Sequence, residues 1–222
     1  DELKILNQLK ITEENRSLLS QIIKTNKEKN IFENLDKPNT LIIGDSHARD
    51  FANVLLSSVF FQKIEIRYVN SVENNLLKLH TDADIIFFCR EDGTKTTEVN
   101  LIKQNSRVPI YIVGSKNFGQ NLGKFYNRIN KSTCDQFAPL SKRIVKINER
   151  LKEKWGDNFI DITYLVKNKN NFVPIFTPQC RFISQDGKHF TRDGAKYFSE
   201  ILEKKLSKLL FFKTKLKESY EY

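Results

Sequence analysis

Methionine is missing from all 222 residues, tryptophan occurs once and histidine three times. A chain without methionine does not begin at its own start codon, so a processed form or a piece of a longer protein is expected. No n-region, h-region and cleavage-site pattern opens it, which places any export signal or membrane segment outside the sequence. No apolar run approaches the roughly 18 residues that a spanning helix needs. Internal repeats and low-complexity tracts are absent too. Nothing resembles a zinc finger, a ribonucleoprotein aromatic motif or a glycine-rich RNA loop, so nucleic acid is not an expected partner.

Cysteine is scarce, and the three present leave at least one unpaired. Cys89 ends the apolar run DIIFFC and reads as a buried thiol. Cys134 and Cys180 lie in loop-like surroundings and are free to pair in an oxidising compartment. Neither CxxC spacing nor a histidine partner marks a zinc site, and no metal is expected.

What is present suits a packed globule. Apolar residues make up 39% of the chain and aromatics 11%, which is enough for a core in one domain of this length. The formal net charge is +10. It fits an anionic neighbour, although the lysines are dispersed and suit solvated helix faces equally well. Residues 1–38 read as a helical arm or linker, with apolar positions at Leu3, Leu6, Leu9, Leu18, Leu19, Ile22 and Ile23. The stretch DKPNT then breaks the helix.

From residue 39 short β-rich runs recur: TLIIG, KIEIRYV, ADIIFFC, VPIYIVG and DNFIDIT. Between several of them lies helical spacing. In QFAPLSKRIVKINERLKEKW it predicts a helix from Phe137 to Trp155, and a last helix is expected from about 192 to 212. Continuous apolar strands interleaved with helices predict an α/β fold of three layers, with a mostly parallel five-stranded sheet covered on both faces. Sites in such sheets form at the carboxyl ends of the strands.

Two segments fall there. In GDSH a glycine turns the chain off the first strand and Ser46 stands where a helix begins, so one residue offers both a hydroxyl nucleophile and an amide for an oxyanion. Asp45 or Ser46 as a plain helix cap explains the tetrapeptide equally well. In DGKHFTRDGA, Asp186 and His189 are three residues apart before a helix that Thr191 would cap. A serine hydroxyl needs a neutral imidazole to take its proton, and a carboxylate fixes the tautomer of that imidazole. His47 has a place in the pocket or in solvent, and His80 reads as a helix-end residue. The loop KFYNRINKSTCDQF, aromatic and basic, suits stacking on sugars.

GDSHA with DGKHFTRDGA resembles the first and fifth blocks of the SGNH (GDSL-like) hydrolase superfamily. It is similar above all to the extracytoplasmic SGNH domains fused to membrane acyltransferases that O-acetylate bacterial surface polysaccharides. The resemblance covers about residues 40–210 and implies a catalytic domain over 39–222 with an SGNH/flavodoxin-like fold. It assigns Ser46 as nucleophile, His189 as base and Asp186 as orienting acid. It further implies a bacterial glycan as substrate and a membrane acyltransferase domain in the same parent chain as partner. The site would be periplasmic or otherwise extracytoplasmic, attached to the inner membrane through that parent chain. No bound cofactor is implied, the acetyl group being relayed from acetyl-CoA by the membrane partner. The family's oxyanion glycine and asparagine are missing: YVNSVENN and FFCREDGT stand in their places. An amide near Asn70 or Ser71, the guanidinium of Arg90 or the amide of Asn117 are the substitutes, with Lys116 as a contact for an anionic sugar. Sugar O-acetylation, ester hydrolysis by the same triad and non-catalytic glycan binding are the three functions this pattern allows.

Overall fold

The computed structural model describes residues 31–34, 36–70, 77–90, 96–119 and 134–211. Residues 1–30 of the expected arm or linker over 1–38, Ser71 and most of the aromatic and basic loop lie outside them. Strands β1 (Asn39–Gly44), β2 (Glu65–Val69), β3 (Ile85–Cys89), β4 (Ile110–Val113) and β6 (Phe159–Ile160) form one parallel sheet in the order β2-β1-β3-β4-β6. Strands β5 (Phe137–Pro139) and β7 (Phe172–Pro174) make a small antiparallel pair. The helices are α1 (Ser46–Leu56), α2 (Leu77–Asp82), α3 (Thr96–Asn105), α4 (Lys142–Trp155) and α5 (Arg192–Leu210).

Alternate side chains along a strand point to opposite faces, and this pleat divides the core in two. Ile42, Ile66, Tyr68, Ile85 and Phe87 pack with α1 and α5, including Phe51, Leu55, Phe198 and Leu202. Leu41, Ile43, Ile86, Phe88 and Ile112 pack with Leu79 of α2, Val99 and Ile102 of α3 and Leu151 of α4. The expected three-layer α/β architecture is what forms. Because both faces are covered, β1 is buried at all six positions.

One expected helix is shorter than its spacing predicts. Residues 137–139 are a strand, and α4 begins at Lys142 after Ser141. Pro139 disfavours helical backbone at Ala138, and Phe137 and Pro139 pair with Pro174 and Phe172. The last helix keeps its predicted cap: Thr191 Oγ1 accepts from Gly194 N at 2.9 Å.

The order of the parallel strands reverses direction on either side of β1, so the crevice beyond the carboxyl ends of β1 and β3 is the natural ligand position. Ser46 follows β1 at that crevice.

Candidate active site

The turn from β1 into α1 is shaped by Gly44, whose φ is +143°. A Cβ there would lie 1.7 Å from the carbonyl oxygen of Cys89, the neighbour of Gly44 on β3. Glycine is therefore required by the close approach of two strand ends. Asp45 caps the helix, its Oδ1 accepting from His47 N at 2.9 Å. Its carbonyl accepts from Ala48 N at 3.0 Å and Arg49 N at 3.3 Å. The capping duty thus falls on Asp45, and the half-buried Ser46 is the first helical residue. With the amides of 47, 48 and 49 engaged, the Ser46 N–H is the helix-start donor left for an oxyanion.

The segment 186–190 is a compact turn built on one carboxylate. Asp186 Oδ1 accepts from the amides of Lys188 and His189, both at 2.8 Å, and from Ser184 Oγ at 3.3 Å. Asp186 Oδ2 lies 2.6 Å from His189 Nδ1. Burial by itself raises the Asp186 pKa. The His189 amide and imidazole and the Lys188 amide outweigh it and hold the carboxyl well below the usual carboxylate range. An ionised Asp186 bonded to Nδ1 places the proton of a neutral imidazole on Nδ1 and leaves Nε2 as the basic atom. The His189 side chain is 42% exposed.

Two contacts carry this turn to the edge where Ser46 stands. Phe118, on the segment after β4, donates its amide to Gly187 O at 2.7 Å. Phe190 donates its amide to Asp50 Oδ2 at 3.1 Å. Asp50 lies one helical turn after Ser46, about 6 Å along the axis of α1. The same carboxylate oxygen is 2.6 Å from Lys116 Nζ, and Lys116 also donates to the carbonyl of Lys188. Asp50 is buried and was not singled out by the sequence reading; its spacing of four from Ser46 in HARD is the signal that was there to find.

Two of the expected substrate contacts are placed otherwise. Lys116, predicted to reach an anionic sugar, has a side chain only 2% exposed and holds its charge against Asp50. Arg90 gives its fork to Glu98, with Nη2 to Oε2 at 2.7 Å and Nε to Oε2 at 3.0 Å. Its Nη2 also donates to Asn70 O at 2.9 Å. Arg90 therefore ties the end of β2 to the end of β3. Asn117 is half-buried: its Oδ1 accepts from Gly119 N at 3.2 Å, and its Nδ2 is 3.7 Å from the point where a Gly187 Cβ would stand. Its amide borders the Asp186–His189 turn. At the end of β2, Tyr68 places its hydroxyl 2.5 Å from Asn70 Oδ1 and 3.3 Å from Gly44 O, and burial pushes its pKa up. This phenol beside the β1–α1 turn was also absent from the sequence reading. His47 is buried, and His80 lies, as expected, in the last turn of α2, where it is fully buried.

Fold and geometry together define a doubly wound α/β protein with a serine at its switch point and a carboxylate-paired histidine on the same edge. Its fold is similar to that of a lipopolysaccharide acetyltransferase periplasmic domain from Salmonella ser. Paratyphi A, with a TM-score of 0.63 and 13% identity, covering 85% of this chain and 88% of that one. A platelet-activating-factor candidate from Streptococcus pneumonia overlaps more loosely, with a TM-score of 0.48 and 16% identity over 92% of this chain and 95% of that one. No family model matches the sequence, and neither does any curated protein.

Proposed function

We propose that this chain is a serine-dependent acyl-transfer domain that O-acetylates a bacterial cell-surface polysaccharide. The observation that carries the reading is the Asp186–His189 pair at 2.6 Å, on a turn bonded to the helix that begins at Ser46. In the first half-reaction the Ser46 hydroxyl attacks an acyl carbonyl while His189 Nε2 takes its proton. The Ser46 amide receives the developing oxyanion, with the end of β2 near Asn70 and Ser71 and the Asn117 amide as the further donors. The leaving group departs with the proton from His189. In the second half-reaction a sugar hydroxyl gives its proton to His189 and attacks the acyl-serine, and Ser46 regains its proton as the ester leaves.

Hydrolysis by the same residues differs only in that water takes the place of the sugar. Transfer is favoured by the likeness in fold to the lipopolysaccharide acetyltransferase domain. That protein is a periplasmic domain, and the Cys134–Cys180 disulfide supports the same extracytoplasmic setting here. A membrane acyltransferase domain in the same parent chain would relay the acetyl group from acetyl-CoA. The chain itself binds no cofactor in this scheme.

The test is incubation with p-nitrophenyl acetate, with and without purified bacterial surface polysaccharide. Wild type should release nitrophenol and acetylate the polysaccharide, and Ser46→Ala should do neither. Release that survives Ser46→Ala overturns the reading. Release that depends on Ser46 without acetylated polysaccharide favours the esterase.

A further inference from the structure

The bonds inside the 186–190 turn set the orientation of the His189 ring but not its place relative to Ser46. All of them run between neighbours in the same turn, and its two key side chains are well exposed, at 42% for His189 and 55% for Asp186. The main chain on either side of His189 is held differently. The carbonyl before it, of Lys188, accepts from Lys116 Nζ. The amide after it, of Phe190, donates to Asp50 Oδ2. Lys116 and Asp50 are joined to each other at 2.6 Å, with side chains only 2% and 8% exposed. The Phe190 ring is stacked on Phe198 of α5, with centroids 4.8 Å apart, and Lys116 Nζ lies 4.8 Å from its centroid.

Replacing a buried ion pair with apolar side chains of similar volume often leaves a protein equally stable, because desolvating two charges offsets their attraction. A buried pair is therefore weak evidence of a role in stability alone. Their hydrogen bonds point to another role: one ends on each peptide flanking the histidine, and one partner stands a turn beyond the serine.

We infer that the Asp50–Lys116 pair is a positioning couple that fixes His189 against the Ser46 helix, an inference that rests on His189 acting as the base. Neither residue touches the reacting atoms in this scheme. Displacing a catalytic group by an ångström costs on the order of 100-fold in rate.

The variant to make is Asp50→Asn with Lys116→Met. Asparagine keeps an acceptor for the Phe190 amide and methionine fills the space of the lysine stem, so the ion pair and the bond to the Lys188 carbonyl are lost with little change in volume. With p-nitrophenyl acetate, kcat should fall on the order of 100-fold while KM and the melting temperature stay close to wild type. Wild-type kcat in the folded double variant overturns the inference. A loss of kcat that only follows the fraction unfolded overturns it too. Amide exchange in wild type supplies the second measurement, independent of turnover and of whether the variant folds. The Phe190 amide should exchange only through global opening, and exchange as fast as that of exposed loops defeats the positioning role. If wild type has no Ser46-dependent turnover, His189 is not the base, and exchange at Phe190 alone then decides whether the pair pins the turn.

Discussion

Asp186 remains charged although burial alone disfavours charge, and that has consequences for catalysis and for acid stability. A carboxylate that accepts two amides and lies 2.6 Å from the imidazole Nδ1 is bonded best in its charged form. Asp186→Asn should lower kcat/KM for p-nitrophenyl acetate by on the order of 10³- to 10⁴-fold, since an amide favours the wrong tautomer. Retention of the full rate would remove Asp186 from the site. The sign of its pH linkage follows from the depressed pKa. Its contribution to stability is complete above the ordinary carboxylate value of about 4 and is lost as pH falls toward the lower folded value. In acid titrations of unfolding, Asp186→Asn should therefore show a shallower loss below about pH 4.

His80 has a linkage of the same sign at higher pH. Burial lowers its pKa from 6.5, and neither ring nitrogen has a hydrogen-bond partner. The unfolded chain then binds the extra proton, so stability declines as pH falls below about 6.5 and levels off beneath the folded value. His80→Leu should flatten that decline, read as urea midpoints at pH 7.5 and 5.5. An unchanged slope would mean that the imidazole does not titrate from this environment.

At the scale of elements, the segment 186–190 depends on one backbone approach. Gly187 has φ +80°, and a Cβ there would lie 1.9 Å from Gly119 O. Gly187→Ala should destabilise by about 1–3 kcal/mol from the conformation alone. The clash adds a shift of the turn, so kcat should fall more than the loss of folded protein explains; kinetics beside a urea titration would separate the two. The strands of the sheet were readable because strands covered on both faces carry unbroken apolar runs, as Leu41, Ile42 and Ile43 of β1 and the whole of β3 do. The start of α4 was not, since Phe137 and Leu140 continue its helical spacing while Pro139 and the pairing with β7 make a strand. Ser46, Asp186 and His189 stood out because their chemistry needs particular side chains. Much of an oxyanion hole can be main-chain N–H, which leaves no mark in a sequence. The pairing of Lys116 left no local mark, because its partner Asp50 lies 66 residues away along the chain.

For the whole molecule, the cross-link between Cys134 and Cys180 is the feature that ties stability to compartment. It closes a stretch with a sequence separation of 46, and the two Cα atoms are 5.1 Å apart. That stretch contains β5, α4, β6 and β7, so the small antiparallel pair and one flanking helix are joined to the segment leading toward the Asp186–His189 turn. Closing a loop of this length removes about 4 kcal/mol of unfolded-chain entropy. For a protein of about this size, a loss on that scale lowers the melting temperature by roughly 10 °C. Cys89 stays apart from this chemistry: it is fully buried on β3, and burial raises its thiol pKa. Dithiothreitol should therefore lower the melting temperature of wild type by roughly 10 °C. Cys134→Ser with Cys180→Ser should start at that lower temperature and be insensitive to the reductant. Thiol titration of the folded, oxidised protein should find no reactive group, and one after unfolding. A melting temperature that reductant leaves unchanged would show that the cross-link does not hold this stretch, and the support it lends to an oxidising compartment would fall with it.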